Sequence, residues 1–260
     1  MKRIHALLTV LALSAGLLVF VQVRDRRPPE GSYEPNWLVK KYGAKHFSQN
    51  DEELIIRDFF ADKRDGVFVD VGANHYRTNS TTYYLEKYLG WSGIAVDAIG
   101  SFRKEYELYR PRTRFFCFFV SDGSDDEIDF YINLQNKRVS TGTEDLAKKQ
   151  GAFAKEKIAT VTLNELLRRM GVERFDLLSM DIELAEPAAL SGFDIERYRP
   201  AFVCIEAHEE VRRQVLDYFA GHGYRRVEAY DGLDPLNYYF TPQNPGSPGL
   251  DGSGRTRRRP

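Results

Sequence analysis

From about Asn50 onward the sequence alternates short β-rich apolar runs with segments of helical periodicity, and that alternation restricts the fold more than any other feature. "NDEELIIRDFFADK" places Leu54, Ile55 and Phe59 on one helical face behind an Asn50 cap, with Glu53 three residues on. "GVFVDVG" is a short buried-strand pattern ending at Gly72. "NSTTYYLEKYLG" then opens on cap residues, carries Tyr84, Leu85, Tyr88 and Leu89 at helical spacing, and stops at Gly90. "SGIAVDA" and "RFFCFFVSD" read as a second and a third strand, with the helical "SFRKEYELYR" between them. "EIDFYI" and "KIATVTL" form an additional strand pair around a polar, flexible segment from Asn133 to Glu156. Thr162 and Glu165 make a capping box for a helix that Gly171 ends. "RFDLLSMD" and "PAFVCIEAH" are two more buried strands, "EVRRQVLDYFAGHG" is an amphipathic helix, and "YRRVEAY" with "LNYYFT" closes the chain's ordered part as a strand pair. Strands spaced in this way by helices predict an open, mostly parallel α/β sheet with helices on both faces and an antiparallel terminal strand.

In such sheets ligands gather at the carboxyl ends of the strands, near the point where strand order reverses. The predicted strand ends are polar: Asp70 with Gly72 and Asn74, Asp97, Ser121 with Asp122, Asp181 with Glu183 and Glu186, and Glu206 with His208. Gly72 lets the backbone turn sharply and approach a ligand, and amides of the turn can hold an anion. Asp97 closes the second strand, where a carboxylate can accept both hydroxyls of a ribose. Neither G-x-G-x-x-G nor G-x-x-x-x-G-K-[ST] occurs, so the pattern suits a ribose-bearing cofactor without a diphosphate.

Composition matters mainly for what it excludes. A length of 260 residues supports one sizeable core, and a net charge of -1 disfavours a nucleic-acid partner. Cys117 and Cys204 both lie in apolar runs and read as inert core thiols. The ends differ from the middle. Residues 4–23 are mostly apolar and flanked by Lys2, Arg3 and Arg24, and residues 1–27 read as an uncleaved membrane anchor, with a cleaved signal segment as the alternative. Residues 28–49 read as a linker, 50–241 as the globular domain, and 242–260 as a disordered basic tail.

Several separated motifs, in order, carry a resemblance. "FVDVGANHYRTNSTTYYLEKYLGWSGIAVDA", "FFVSD", "TVTLNELL", "FDLLSMDIELAEPAALSGFD" and "PAFVCIEAH" resemble the FkbM-type methyltransferases, a branch of the Rossmann-like class I enzymes that use S-adenosyl-L-methionine. The resemblance implies that Asp70, Gly72 and Asn74 form the first cofactor motif, that Ser80 and Thr81 match the family's Ser-Thr pair, and that Asp97 binds the ribose. It also implies that Ser121 and Asp122 lie beside the adenine, and that Asp181, Glu183 and Glu186 fall in the catalytic block. Leu184 and Tyr76 depart from the family, standing where glycine is frequent, and bear on substrate fit and loop shape.

Asp181, Glu183, Glu206 and His208 are the expected proton acceptors, with O-methylation of a small-molecule, glycan or lipid hydroxyl as the expected reaction. His208 is the neutral-pH choice, unless it simply caps the helix starting at Glu209. His75 reads as a loop hydrogen-bonder. A divalent metal held by Asp181, Glu183 and Glu206 is a further option, and Trp91 and the tyrosines read as core. An anchored enzyme using a cytosolic cofactor would keep its domain in the cytosol, with a secreted or periplasmic location as the alternative. Two rival readings are a membrane-tethered binding module without catalysis and a nicotinamide-dependent oxidoreductase.

Overall fold

The computed structural model describes residues 36–243. Its strands are β1 (Val67–Val71), β2 (Ser92–Asp97), β3 (Thr113–Cys117), β4 (Phe119–Val120), β5 (Glu127–Asn133), β6 (Phe153–Val161), β7 (Leu177–Met180), β8 (Phe202–Glu206), β9 (Tyr224–Arg226) and β10 (Asn237–Pro242). The helices are α1 (Trp37–Tyr42), α2 (Glu52–Phe60), α3 (Tyr83–Leu89), α4 (Arg103–Tyr109), α5 (Glu144–Gln150), α6 (Leu163–Arg169), α7 (Glu186–Ser191), α8 (Ile195–Tyr198) and α9 (Glu209–Gly221).

Seven strands form one sheet in the order β3-β2-β1-β7-β8-β10-β9. The first five run parallel, and β10 is antiparallel to both neighbours. This is the expected mostly parallel, Rossmann-like sheet, with the last strand inserted between β8 and β9. The parallel strands are covered on both faces, so they read as continuous apolar runs rather than alternating ones. Period-2 alternation still sorts their side chains. Val69 and Val71 join one core with α6, α7 and α9, while Phe68 joins a second core with Leu54, Leu85 and Trp91. The chain runs outward from β1 to β2 and β3, then returns to pair β7 on the other side of β1. The switch point therefore lies at the carboxyl ends of β1 and β7.

The third predicted strand is two. It breaks after Cys117, and β4 leaves the main sheet to pair with β6. With β5 this makes a separate sheet in the order β4-β6-β5, and β5 and β6 stay in register from Glu127–Ala159 to Asn133–Phe153. The segment expected to be flexible carries α5, whose acidic first turn and basic last turn complement the helix dipole and whose Ala147 is buried.

The Asn50 cap is not made. Asp51 occupies the cap position without a side-chain capping bond, its carboxylate accepting from Asn36 Nδ2, and Glu53 instead accepts the backbone N–H groups of His46 and Phe47, while Ser48 Oγ accepts from Glu53 N. The Thr162 cap is made, with Oγ1 accepting from Glu165 N at 3.1 Å.

The reading of residues 28–49 as a linker is corrected from residue 36 on. Leu38 of α1 is fully buried in the same core as Leu54 and Phe202. The proposed anchor and most of the basic tail lie outside the described residues. Among the described residues no helix is long and apolar enough to cross a membrane, a finding that runs against the expected membrane-anchored location.

Candidate active site

At the switch point a cavity of about 350 Å³ opens, inside the ~300–1,000 Å³ span of small-molecule sites. One wall is the turn after β1. Gly72 has φ +79°, and a Cβ built there would sit 1.8 Å from the carbonyl oxygen of Asp181. Glycine is required at this position because β1 and β7 meet there, a different reason from the ligand approach expected from sequence.

The turn amides are also engaged within the protein. Gly72 N and Ala73 N donate to Val96 O, Asn74 N donates to Asp97 Oδ2 at 2.8 Å, and His75 N donates to Asn74 Oδ1. The loop therefore offers the cavity the residues Asn74, Asn79 and Thr81 rather than a nest of free amides. Asn74 and Asn79 adopt left-handed φ values of +53° and +57°, a conformation asparagine tolerates better than most side chains. His75 faces away, its Nδ1 accepting from Arg77 N and Thr78 N, as a loop hydrogen-bonder.

Asp97 reaches the cavity from the end of β2. Its two oxygens accept from Asn74 N and Ile99 N, both at 2.8 Å, so backbone donors set the orientation of the carboxylate. Burial pushes it up to about 6, although one face stays open to the cavity. Asp70 is more enclosed and is likewise pushed up to about 6 by burial. It accepts from Thr82 Oγ1 at 2.7 Å, and Thr82 in turn accepts from Arg110 Nη2.

Arg110 organises the back of the loop. It is almost fully buried, pairs with Glu86, and donates to the carbonyl of Tyr76 at 3.0 Å. Ser80 belongs to this packing layer: its Oγ accepts from Tyr83 N, and it does not line the cavity.

Opposite stand the residues after β7 and β8. Asp181, Glu183, Glu206 and His208 all line the cavity. Glu183 and Leu184 have φ +53° and +75°, so the leucine that departs from the family's glycine occupies a left-handed position. Glu186 turns inward instead. It is fully buried, with Oε1 accepting from Ile182 N and burial pushing it up to about 7. Glu183 is pushed up to about 7 by burial and then by Asp181.

Burial and the neighbouring Asp181 hold Glu206 well above the usual carboxylate range. Burial also raises Asp181, the other member of this coupled acidic pair, whose side chain is open to the cavity. His208 precedes α9 yet makes no capping bond with its side chain. Its Nε2 lies 3.2 Å from Glu206 Oε2, at ion-pair distance without hydrogen-bond alignment.

The remaining wall was not legible in sequence. Phe118, Phe119, Val120 and Phe130 supply an apolar side, and Lys137, Arg138 and Ser140 reach in from the β5–β6 connection. Ser121 and Asp122 lie just past this wall and do not line the cavity; Ser121 Oγ bonds its neighbour Asp122. Trp91 is fully buried, donating to Lys63 O, and Cys204 is buried in β8, while Cys117 is half-buried.

Among solved structures, a TehB-like SAM-dependent methyltransferase from Corynebacterium glutamicum is 15% identical over 78% of this chain and 92% of its own, with a TM-score of 0.43. A precorrin-6y C5,15-methyltransferase from Geobacter metallireducens is 10% identical over 77% of this chain and 93% of its own, with a TM-score of 0.45. No curated protein matches the sequence. Residues 70–226, which span β1 to β9 and so include the whole switch point, match the methyltransferase FkbM domain, and the chain belongs to that family.

Proposed function

We propose that the protein is an S-adenosyl-L-methionine-dependent methyltransferase acting on a hydroxyl of a small-molecule, glycan or lipid acceptor. The observation that carries this reading is Asp97, a carboxylate oriented by two backbone donors at the switch point and open to the cavity. The residues fit the cofactor in three ways. Asp97 keeps lone pairs for vicinal ribose hydroxyls, the Phe118–Val120 wall suits an apolar ring, and Asn79 and Thr81 are polar contacts for the amino-acid end. When bound, the cofactor supplies an electrophilic methyl group.

The chain's own contribution is positioning and proton removal. Asp181, the acid most open to the cavity, and His208 are the groups that can take the acceptor's proton. Glu206 Oε2 lies 3.2 Å from His208 Nε2 and would pair with the imidazolium once His208 holds the proton. Family membership and the single-glycine turn support methyl transfer over hydride transfer.

The test is calorimetry of the full chain with S-adenosyl-L-methionine and with S-adenosylhomocysteine. Both are expected to bind, and Asp97→Ala is expected to weaken them tenfold or more, the loss for a hydrogen-bonded charged group of about 1.5–3 kcal/mol. Absence of heat with either compound on folded wild-type protein refutes the reading.

A further inference from the structure

Three donors at one end of the cavity come from two neighbouring strand ends: Glu183 beyond β7, and Glu206 and His208 at and beyond β8. One ligand atom from each lies within 4.8 Å of the others. A divalent ion with nitrogen and oxygen ligands at about 2.0–2.2 Å holds its donors roughly 3–4 Å apart, so small rotamer changes close the group around an ion.

A second observation points the same way. The Glu206 side chain is only 7% accessible, and its Oε2, on the side of His208, has no hydrogen-bond partner. A buried carboxylate oxygen that accepts from no N–H or hydroxyl donor is costly, and the polar side chain set against Glu206 beside it is another acid, Asp181. Arg138 lines the same cavity, but its guanidinium donates to Gln49.

We propose that Glu183, Glu206 and His208 form a binding site for one divalent first-row transition metal ion, of the Mn²⁺ type, which binds the acceptor hydroxyl at an open coordination position. Two carboxylates with one imidazole suit such an ion better than Mg²⁺ or Ca²⁺, which prefer oxygen alone. Three protein ligands leave positions free, and a hydroxyl oxygen bound there becomes more acidic. With His208 engaged on the ion, Asp181 is the base left to take that proton, and it lines the same cavity. This set differs from the three-carboxylate grouping expected from sequence, because His208 replaces Asp181. The catalytic role assigned to the ion rests on the methyltransferase reading; the binding site does not.

The experiment titrates the full chain with MnCl₂ and follows the loss of the free-ion electron paramagnetic resonance signal, alongside separate calorimetry with S-adenosyl-L-methionine. One Mn²⁺ per chain is expected, with Glu206→Gln and His208→Ala each weakening it at least tenfold while changing cofactor affinity less than threefold. Mn²⁺ is expected to raise the melting temperature of wild type and not of Glu206→Gln, which also reports whether that variant is folded. Lack of Mn²⁺ binding, binding untouched by both substitutions, or Mg²⁺ competing on equal terms overturns the proposal. Cofactor heat without Mn²⁺ binding rejects the metal site alone. Mn²⁺ binding without cofactor heat keeps the site and rejects the methyltransferase reading.

Discussion

Replacing Gly72 with alanine tests whether the floor of the cavity depends on contact between β1 and β7. Two penalties act at this position. A side chain at φ +79° costs about 1–2 kcal/mol for the left-handed conformation. The new Cβ would also stand 1.8 Å from Asp181 O, and forcing a methyl group into a packed site costs roughly 1–3 kcal/mol. Nearby backbone cannot yield freely, since Asp181 N donates to Val71 O at 3.0 Å and ties the two strand ends together.

Gly171 is the control. Its φ is +65°, and a Cβ there meets nothing within 4 Å, so Gly171→Ala carries only the first penalty. The gain from restricting the unfolded chain is common to both variants and cancels in the comparison. At about 2–4 °C per kcal/mol for a domain of this size, Gly72→Ala is expected to lose roughly 5–20 °C in melting temperature and Gly171→Ala roughly 2–8 °C. Differential scanning fluorimetry measures both. Equal losses in the two variants would refute the argument that Asp181 fills the place of the missing side chain. Calorimetry adds a second check, because only Gly72→Ala moves the turn that carries Asn74 against Asp97.

Arg110→Met leaves Glu86 buried without its partner and is expected to lower stability by about 3–5 kcal/mol in urea unfolding, whereas Arg110→Met with Glu86→Leu recovers part of that loss. Stability should also vary with pH in one direction. Glu186 is raised to about 7 and Asp70 to about 6, so between about pH 4.5 and 7 the folded state holds protons that the unfolded state has released. Their contribution is therefore fully present below the unfolded values and is lost as pH rises through the folded ones, on the order of 6 kcal/mol for the two together. Urea midpoints across that range should fall with rising pH, and Glu186→Gln should flatten the slope; a midpoint that rises through the window would contradict the assignment.

What the sequence determined by itself is local. Period-2 and helical spacing depend on neighbours two to four residues apart, so the strand at "GVFVDVG", the N-cap at Thr162 and the helix stop at Gly90 are written where they occur, whereas the Glu165 half of the expected capping box is not made, because Thr162 N donates to Ser124 Oγ. Polar residues at the strand ends, together with the separated family motifs, also pointed to the edge where Asp70, Asp97, Asp181 and Glu206 meet. Tertiary structure decided which residues face the cavity. Strand order and register arise from burial between distant segments, which no local pattern encodes. They bring Asp181 O into the space beside Gly72, turn Glu186 inward while Glu183 faces the cavity, and lend the site an apolar wall from a second sheet. The same long-range packing engages the turn amides, and His208, at the N-cap of α9, sets its imidazole against Glu206 instead of capping the helix with its side chain.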